Sequence, residues 1–219
     1  MPPTIVQTTS PVVLLGAGEI SAGSLEIALT HGRHIVAADG GAQVALDRGL
    51  LPDAVIGDFD SLDPDAQKRI PISRLHRIDE QDTTDFEKCL ARISAPLVLA
   101  AGFTGARMDH MLAVMNVLVR APGPRCIVIG IEDVAFALDG PLRLTLEEGE
   151  RVSLFPLAPV RARSTGLRWP IDAVPFAPGG AIGTSNEATG GPVEITPEGP
   201  GLLAMFELQR LPDLLEALV

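Results

Sequence analysis

The sequence predicts an α/β N-terminal domain with a mostly parallel sheet, followed by an all-β C-terminal domain, either a sandwich or a small barrel. Over the first two thirds of the 219 residues, apolar runs typical of strands alternate with helical patterns, which indicates a parallel sheet covered by helices. After about residue 131, strand-like runs are separated by glycine and proline turns, as is typical of antiparallel strands. We therefore expect two domains, residues 1–136 and 137–219.

The elements of the first region follow one another along the chain. The sequence predicts strands at 12–15, 34–38, 54–56, 97–101 and 126–129, and helices at 24–30, 42–48, 82–93 and 107–119. Gly49 is a typical stop for the second helix, and Asp82 is a typical N-cap for the third. Because ligands collect at the carboxyl ends of parallel strands, the polar motifs that follow these strands are the candidates for a functional site.

The second region is predicted from shorter signals. The sequence predicts strands at 143–146, 151–155, 161–164 and 202–206, and a short helix or tail at 211–218. The stretch 170–191 is rich in glycine and proline, so we expect it to consist mostly of loops.

Composition and charge exclude several classes of protein. Apolar residues make up 46% of the chain, which is too much for a disordered protein. With 17 basic and 28 acidic residues the net charge is −11, so we expect no nucleic-acid partner held by a broad basic face. A compact acidic site could still bind a nucleotide through metal ions, and it would attract a cationic substrate.

Location and cysteine chemistry are predicted from the absence of the relevant patterns in the sequence. No apolar run reaches the length of a membrane span, and residues 1–10 lack the pattern of a secretory signal. We therefore expect a cytoplasmic protein with no membrane contact. Cys89 and Cys126 are too few and too far apart for a disulfide framework or a zinc site, and we expect both to be buried and unreactive.

The strongest local motif is Gly57-Asp58-Phe59-Asp60-Ser61, which follows a predicted strand. In an extended segment Asp58 and Asp60 would share a face, and two close carboxylates favour a bound cation such as Mg²⁺ or a shared proton. The alternative is an ordinary turn before a helix that Asp63-Pro64 opens, since glycine, aspartate and serine all favour turns. The motif alone leaves both interpretations open.

Two further acidic motifs lie on either side of it in the chain. Asp39-Gly40-Gly41 ends a strand, where the glycines would let a ligand approach the backbone, although an N-cap with a tight turn explains it equally well. Asp85 and Lys88 lie three apart on one helical face. They are either a surface ion pair or a carboxylate for a metal beside a cation for phosphate.

Residues 102–110 form a glycine-rich turn into a helix, which is a typical place for anions. Arg107 adds a planar donor fork for phosphate. His110 could act as a general base or serve packing. Gly16-Ala17-Gly18 begins like a dinucleotide-binding motif, but Ser21 stands where the third glycine belongs.

In the β-region, Trp169 is the only tryptophan and the chain has no tyrosine. Its ring could be part of the core or a flat wall for an aromatic or cationic ligand. Thr184-Ser185-Asn186 is either a polar turn or a set of hydrogen-bonding groups for that ligand.

Taken together and in this order, these motifs resemble the thiamine pyrophosphokinase (thiamine diphosphokinase) family. The residues that carry the resemblance are Asp39-Gly40-Gly41, Gly57 to Ser61, Gln81 to Lys88, Gly102 to His110, Gly166-Leu167-Arg168-Trp169 and Thr184-Ser185-Asn186. The resemblance implies transfer of a diphosphate from ATP to the hydroxyl group of thiamine, giving thiamine diphosphate and AMP. It also implies Mg²⁺ as cofactor, ATP as co-substrate, and a homodimer that holds thiamine between its subunits.

The same resemblance implies roles for individual residues. The catalytic set is Asp58, Asp60, Asp85 and Arg107, of which the three aspartates hold Mg²⁺. The ATP site comprises Asp39, Gly40, Lys88, Gly102, Arg107 and Asp109, and the thiamine site comprises Gln81, Asp82, Trp169, Thr184, Ser185 and Asn186. Asp85 or Asp60 could also accept the hydroxyl proton.

Two alternatives remain at this stage. The first is a Mg²⁺-dependent kinase of another heterocyclic alcohol on the same fold. The second is a non-catalytic sensor of nucleotide or thiamine.

Overall fold

Residues 2–105 and 107–218 are described by the computed structural model, and they fall into two units. The first unit contains the chain up to residue 117 together with 121–131, and the second contains 118–120 together with the chain from 132 onward. The predicted division after residue 136 falls inside a strand of the second unit, Asp133–Leu138.

A parallel sheet forms the centre of the first unit. In chain order its strands are β1 (Val6–Gln7), β2 (Val12–Leu15), β3 (His34–Ala38), β4 (Ala54–Gly57), β5 (Leu75–Arg77), β6 (Ile93–Ser94), β7 (Val98–Ala101) and β8 (Cys126–Ile129). Six of them lie in the spatial order β8-β7-β2-β3-β4-β5, while β1 and β6 form a separate parallel pair. Strands β2, β4, β7 and β8 are buried along their whole length, which explains their continuous apolar sequences.

The helices of this unit connect the parallel strands. They are α1 (Ala22–His31), α2 (Gly41–Asp47), α3 (Pro64–Arg69), α4 (Asp85–Leu90) and α5 (Met108–Arg120). Asp63 caps α3 as the sequence predicts, since its carboxylate accepts the N–H groups of Asp65 and Ala66.

The predicted helix over 82–93 is wrong at both ends. Helix α4 begins at Asp85, and its N-cap is Thr84, whose hydroxyl accepts the N–H of Glu87 at 3.3 Å. Asp82 instead lies in a turn where its own N–H donates to the Glu80 carboxylate at 2.9 Å. The Glu80 carboxylate also accepts the N–H of Thr83. Residues 82 and 83 therefore belong to this turn, and the helix begins after them.

The second unit is an antiparallel β region. Its strands are β9 (Asp133–Leu138), β10 (Leu142–Pro156), β11 (Ala162–Thr165), β12 (Gly183–Pro197) and β13 (Leu202–Glu207), followed by helix α6 (Leu211–Leu218). They lie in the order β11-β12-β10-β13-β9, and every pair among them is antiparallel.

One prediction for this region is wrong. The predicted strands 143–146 and 151–155 belong to one strand of 15 residues, β10, with a register shift between Glu148 and Arg151. The stretch 170–191 lies mostly outside the strands, as predicted, and its last part is strand because β12 begins at Gly183. Gly190 and Gly191 have positive φ angles of 87° and 96° within the ladder, so these glycines mark an irregularity in a strand and not a loop.

The predicted fold class, a parallel α/β region followed by an antiparallel β region, is confirmed. Within the described ranges, no helix has both the length and the apolar character needed to cross a bilayer. Cys89 and Cys126 are buried free thiols whose pKa is raised by burial, as expected for unreactive cysteines.

Candidate active site

A cleft of about 560 Å³ lies at the carboxyl ends of β2, β3, β4 and β7 in the first unit. Its lining contains most of the residues that the sequence predicts for a site: Asp39, Gly40, Asp58, Asp60, Gln81, Asp85, Lys88, Gly102, Arg107 and His110. Of the predicted site residues that the structure describes in the first unit, Asp82 and Asp109 stand outside this lining. The cleft forms here because each of these strands ends and turns away at the same edge of the sheet.

The two aspartates after β4 are brought together by a bend, and not by an extended segment. Phe59, between them, has a φ of 68°, a left-handed conformation that few non-glycine residues adopt. Its ring packs against the apolar cluster around Ala37 and Leu62. The N–H of Asp60 donates to Asp58 Oδ1 at 3.3 Å, which closes the bend. The motif is therefore both a turn and a pair of close carboxylates, so the two interpretations of the sequence are compatible.

Asp39 is the most buried carboxylate of the cleft, with 2% of its surface exposed. Its Oδ2 accepts the N–H of Ser61 at 3.2 Å, whereas its Oδ1 is buried and has no hydrogen-bond partner. The residue fits because its neighbour on β4 is glycine, since a Cβ on Gly57 would lie 2.8 Å from the Cβ of Asp39. A buried, unpartnered carboxylate oxygen is costly, so this atom indicates a position for a cation or a proton.

Three carboxylates converge in the cleft. Asp39, Asp58 and Asp60 each offer an oxygen, and these atoms lie within 4.8 Å of one another. Burial is the main cause that raises the pKa of Asp39 to about 6, and the nearby charges of Asp85 and Asp60 raise it further. A hard cation would satisfy the free Oδ1 and offset the repulsion, so the donor set fits a divalent metal ion.

The buried side chain of Lys88 compensates part of the negative charge of these carboxylates. Its side chain is 3% exposed, and its Nζ lies 3.1 Å from Asp85 Oδ1 and 3.9 Å from Asp58 Oδ2. Burial raises the pKa of Asp85, and the ion pair with Lys88 opposes this rise. Lys88 is therefore not part of a surface ion pair, because its ammonium group is buried. A buried ammonium group needs carboxylate partners.

Gln81 lies on the other side of the aspartates. Its Nε2 donates to Asp58 Oδ2 at 2.8 Å, and this hydrogen bond is the main cause that lowers the pKa of Asp58. Asp58 is therefore held ionised between an amide and an ammonium group, which is suitable for a cation ligand.

Two glycine loops form the opposite wall. Gly16 and Gly102 are in close contact, since a Cβ on Gly16 would lie 2.4 Å from the Gly102 carbonyl oxygen. The N–H of Gly18 donates to the same oxygen at 2.8 Å. The first loop contributes to the cleft although its dinucleotide motif is incomplete. The partial glycine motif and its position at the end of β2 were the sequence signals for this loop.

Arg107 lines the cleft at the start of α5 and is exposed. Its guanidinium group donates to both oxygens of Asp109, at 3.2 Å and 2.7 Å, and this holds the pKa of Asp109 near 2. Asp109 is therefore the ion-pair partner of Arg107, and it does not line the cleft. Ala106, inside the same motif, lies outside the described residues.

Of the predicted thiamine residues in the second unit, Asn186 is hydrogen-bonded directly to Trp169. The ring is half-exposed, so Trp169 is not a core residue. Thr184 and Ser185 are exposed on β12, whereas Asn186 is buried and hydrogen-bonds to the main chain of Trp169. The motif 184–186 is therefore part of a strand and not a polar turn.

The charge of Asp39 should make stability depend on pH. Its folded pKa of about 6 exceeds the ordinary 3.8, so ionisation opposes folding as the pH rises from about 4 to above 6. Without divalent cations, Asp39→Asn should raise the melting temperature by a few degrees at pH 7.5 and leave it unchanged at pH 4. Thermal unfolding in a chelator checks this, with the exposed Asp65→Asn as control. A variant that is less stable than the parent at pH 7.5 would contradict the assignment.

Comparison with known proteins identifies the family. Residues 25–129 match the model "Thiamin pyrophosphokinase, catalytic domain", and residues 141–200 match "Thiamin pyrophosphokinase, vitamin B1 binding domain". Thiamine pyrophosphokinase 3 of Oryza sativa subsp. japonica is 31% identical over 185 residues, covering 69% of each chain. Thiamine pyrophosphokinase 1 of Arabidopsis thaliana is 30% identical over 190 residues, covering 71% of each.

A solved structure shows the same fold. Thiamin pyrophosphokinase from Candida albicans superimposes with a TM-score of 0.75 at 17% identity, covering 94% of this chain and 95% of that one. Both family models match in order along the sequence. The two relatives, at 31% and 30% identity, are named as members of the same family. This chain therefore belongs to the thiamin pyrophosphokinase family.

Proposed function

We propose that this chain transfers the diphosphate group of ATP to the hydroxyl group of thiamine, and that the aspartate cleft is where the transfer occurs. Family membership carries the activity of a thiamine pyrophosphokinase. The observation that supports the location is the convergence of Asp39, Asp58 and Asp60 beside a buried Lys88. Diphosphate transfer needs positioning and charge stabilisation more than covalent help from the protein, and such a cleft supplies both.

Mg²⁺ is the proposed metal, held by the carboxylates of Asp39, Asp58 and Asp60. The cation would neutralise charge on the phosphate oxygens of ATP when it is bound. The resemblance also implies that Asp85 is a metal ligand. We propose it as a fourth carboxylate of the site, beside the three that hold Mg²⁺. It is joined to the set through Lys88, which contacts both Asp85 and Asp58.

The cations and the glycine loops would hold the triphosphate of ATP. Arg107 has a planar fork at the rim, although it must give up part of its contact with Asp109 to bind phosphate. The buried ammonium group of Lys88 would add positive charge beneath the phosphates. The loops that begin at Gly16 and Gly102 bring backbone close to the ligand, where a side chain would not fit.

Thiamine is proposed to contact Trp169, Thr184 and Ser185, and the resemblance also assigns Gln81, Asp82 and Asn186 to its site. Thiamine is a cation with aromatic rings, so the exposed face of Trp169 suits it. The resemblance also implies a homodimer that holds thiamine between its subunits, which sedimentation equilibrium would test.

The decisive experiment measures the nucleotide product. With ATP, Mg²⁺ and thiamine, we expect AMP and thiamine diphosphate to form in equal amounts, and no AMP without thiamine. Formation of ADP, or turnover with pyridoxine instead of thiamine, would favour a kinase of another heterocyclic alcohol. Calorimetric binding of thiamine without any turnover would favour a sensor. Addition of EDTA and then excess Mg²⁺ tests the metal, because activity should be lost and regained.

A further inference from the structure

A short segment of the second unit is fastened to strand β12 by both main-chain and side-chain hydrogen bonds. We call residues 166–169 the Trp169 strap. The N–H of Arg168 donates to the carbonyl oxygen of Glu187 at 2.8 Å, and the N–H of Thr189 donates to that of Gly166 at 2.9 Å. These bonds set the path of the strap but stop one residue before Trp169.

The main chain of Trp169 itself is held by a side chain. Its N–H donates to Asn186 Oδ1 at 3.1 Å, and its carbonyl oxygen accepts from Asn186 Nδ2 at 2.7 Å. Asn186 Oδ1 also accepts the N–H of Glu187 at 2.9 Å. Asn186 is only 5% exposed. The polar atoms of this amide are therefore committed to the backbone around Trp169 and not to the surface.

The indole ring has two unlike faces. The Arg168 guanidinium carbon lies 4.9 Å from the ring centroid, so this side chain covers one face. Arg168 is held there by Glu187, whose Oε2 accepts from Nη1 at 2.6 Å. The Glu187 carboxylate offsets the positive charge of Arg168, which would otherwise repel a cationic ligand. A ligand ring can stack on the face that Arg168 leaves open.

We propose that Asn186 is a positioning residue that fixes the Trp169 indole, with Arg168 and Glu187 limiting substrate stacking to one face of the ring. The inference rests on the proposed function only where it names thiamine as the ring that stacks. It differs from the expectation that Asn186 contacts thiamine directly, because both of its polar amide atoms bond the backbone and the residue is buried. Thr184 and Ser185, which are exposed, remain available for substrate contact.

The test uses the fact that Trp169 is the only tryptophan in the chain and that there is no tyrosine. Fluorescence of the full-length protein without substrate therefore reports on this ring alone. In Asn186→Ala we expect a red-shifted emission maximum and stronger acrylamide quenching, because the ring is no longer fixed. The Michaelis constant for thiamine should rise about tenfold, while kcat and the Michaelis constant for ATP stay within about twofold.

Two further variants make the result decisive. Asn186→Asp keeps the acceptor but replaces the donor to the Trp169 carbonyl, so it should behave like Asn186→Ala. If Asn186 contacted thiamine directly, the added charge would instead hold the cation as well as or better than the parent. Thr189→Val is the matched control, because it removes a β12 side-chain bond to Gly166 at 3.2 Å while keeping the main-chain bond. We expect its fluorescence and kinetics to match the parent.

Unchanged fluorescence of the substrate-free Asn186 variants, with a raised Michaelis constant, would overturn the proposal. Arg168→Met should increase acrylamide quenching by exposing the second face, and equal quenching would overturn the role of Arg168. The matched ion-pair control is Glu194→Gln, since Glu194 lies on the same strand and pairs with Arg143 at 3.0 Å. If the parent protein shows no turnover of thiamine, the proposed function fails, but the fluorescence measurements still decide whether Asn186 fixes the ring.

Discussion

Asp60→Asn should lower kcat/KM for diphosphate transfer by about a hundredfold or more, with the fold retained. The reason is that Asp60 is one of three carboxylates that converge in the cleft, and loss of one charge weakens both metal binding and phosphate neutralisation. Asp60 is exposed, and its side chain accepts the Ser61 hydroxyl at 2.8 Å, a bond that asparagine can keep. The measurement is AMP release over a range of Mg²⁺ concentrations.

Thermal unfolding separates loss of metal binding from loss of structure. Mg²⁺ with a non-hydrolysable ATP analogue should raise the melting temperature of the parent but not of Asp60→Asn, because a ligand stabilises only the state that binds it. Asp65→Asn is the matched control, since it removes the same charge from an exposed residue five positions along, outside the cleft. Near-normal turnover of Asp60→Asn at low Mg²⁺ would contradict the metal assignment.

Trp169→Ala should raise the Michaelis constant for thiamine about tenfold or more, with the constant for ATP nearly unchanged. Loss of a stacking surface costs about 1–3 kcal/mol for an aromatic ligand. The ring is half-exposed, so its removal opens no cavity in the core and stability should change little. Steady-state kinetics with each substrate varied in turn provide the comparison.

The control for Trp169→Ala is Ile182→Ala, which removes another half-exposed apolar side chain from the same unit. We expect both of its Michaelis constants to equal those of the parent. Trp169→Phe should be intermediate, because phenylalanine keeps a smaller aromatic face. A larger effect of Trp169→Ala on ATP than on thiamine would mean that thiamine binds elsewhere.

The positions of the candidate residues in the first unit were predictable because they follow from the order of strands. Asp39, Asp58 and Gly102 each come directly after a buried parallel strand, and such strand ends meet at one edge of a sheet. Local competition was harder to predict. Asp82 has the sequence pattern of an N-cap, but the side chain of Glu80 captures its N–H, and Thr84 caps the helix instead.

The second unit shows why the roles of polar residues depend on tertiary contacts. Thr184, Ser185 and Asn186 are consecutive and similar in the sequence, yet two are exposed and one is buried against Trp169. An irregularity in the strand separates them, since Ser185 has a φ of 58° and the register of β12 against β10 shifts between Asn186 and Gly183. No local pattern predicted a strand through a segment that contains so many glycines.

The sequence by itself determined the order of elements, the acidic motifs at strand ends and the resemblance to a family, because these depend on local pattern and spacing. Only the tertiary structure decided which charges meet. It buried Asp39 with one oxygen free, placed Lys88 between Asp85 and Asp58, and turned Asn186 toward the backbone of Trp169. Burial and partner choice arise from contacts between residues far apart in the chain, and these contacts set the pKa of a carboxylate and the role of an amide.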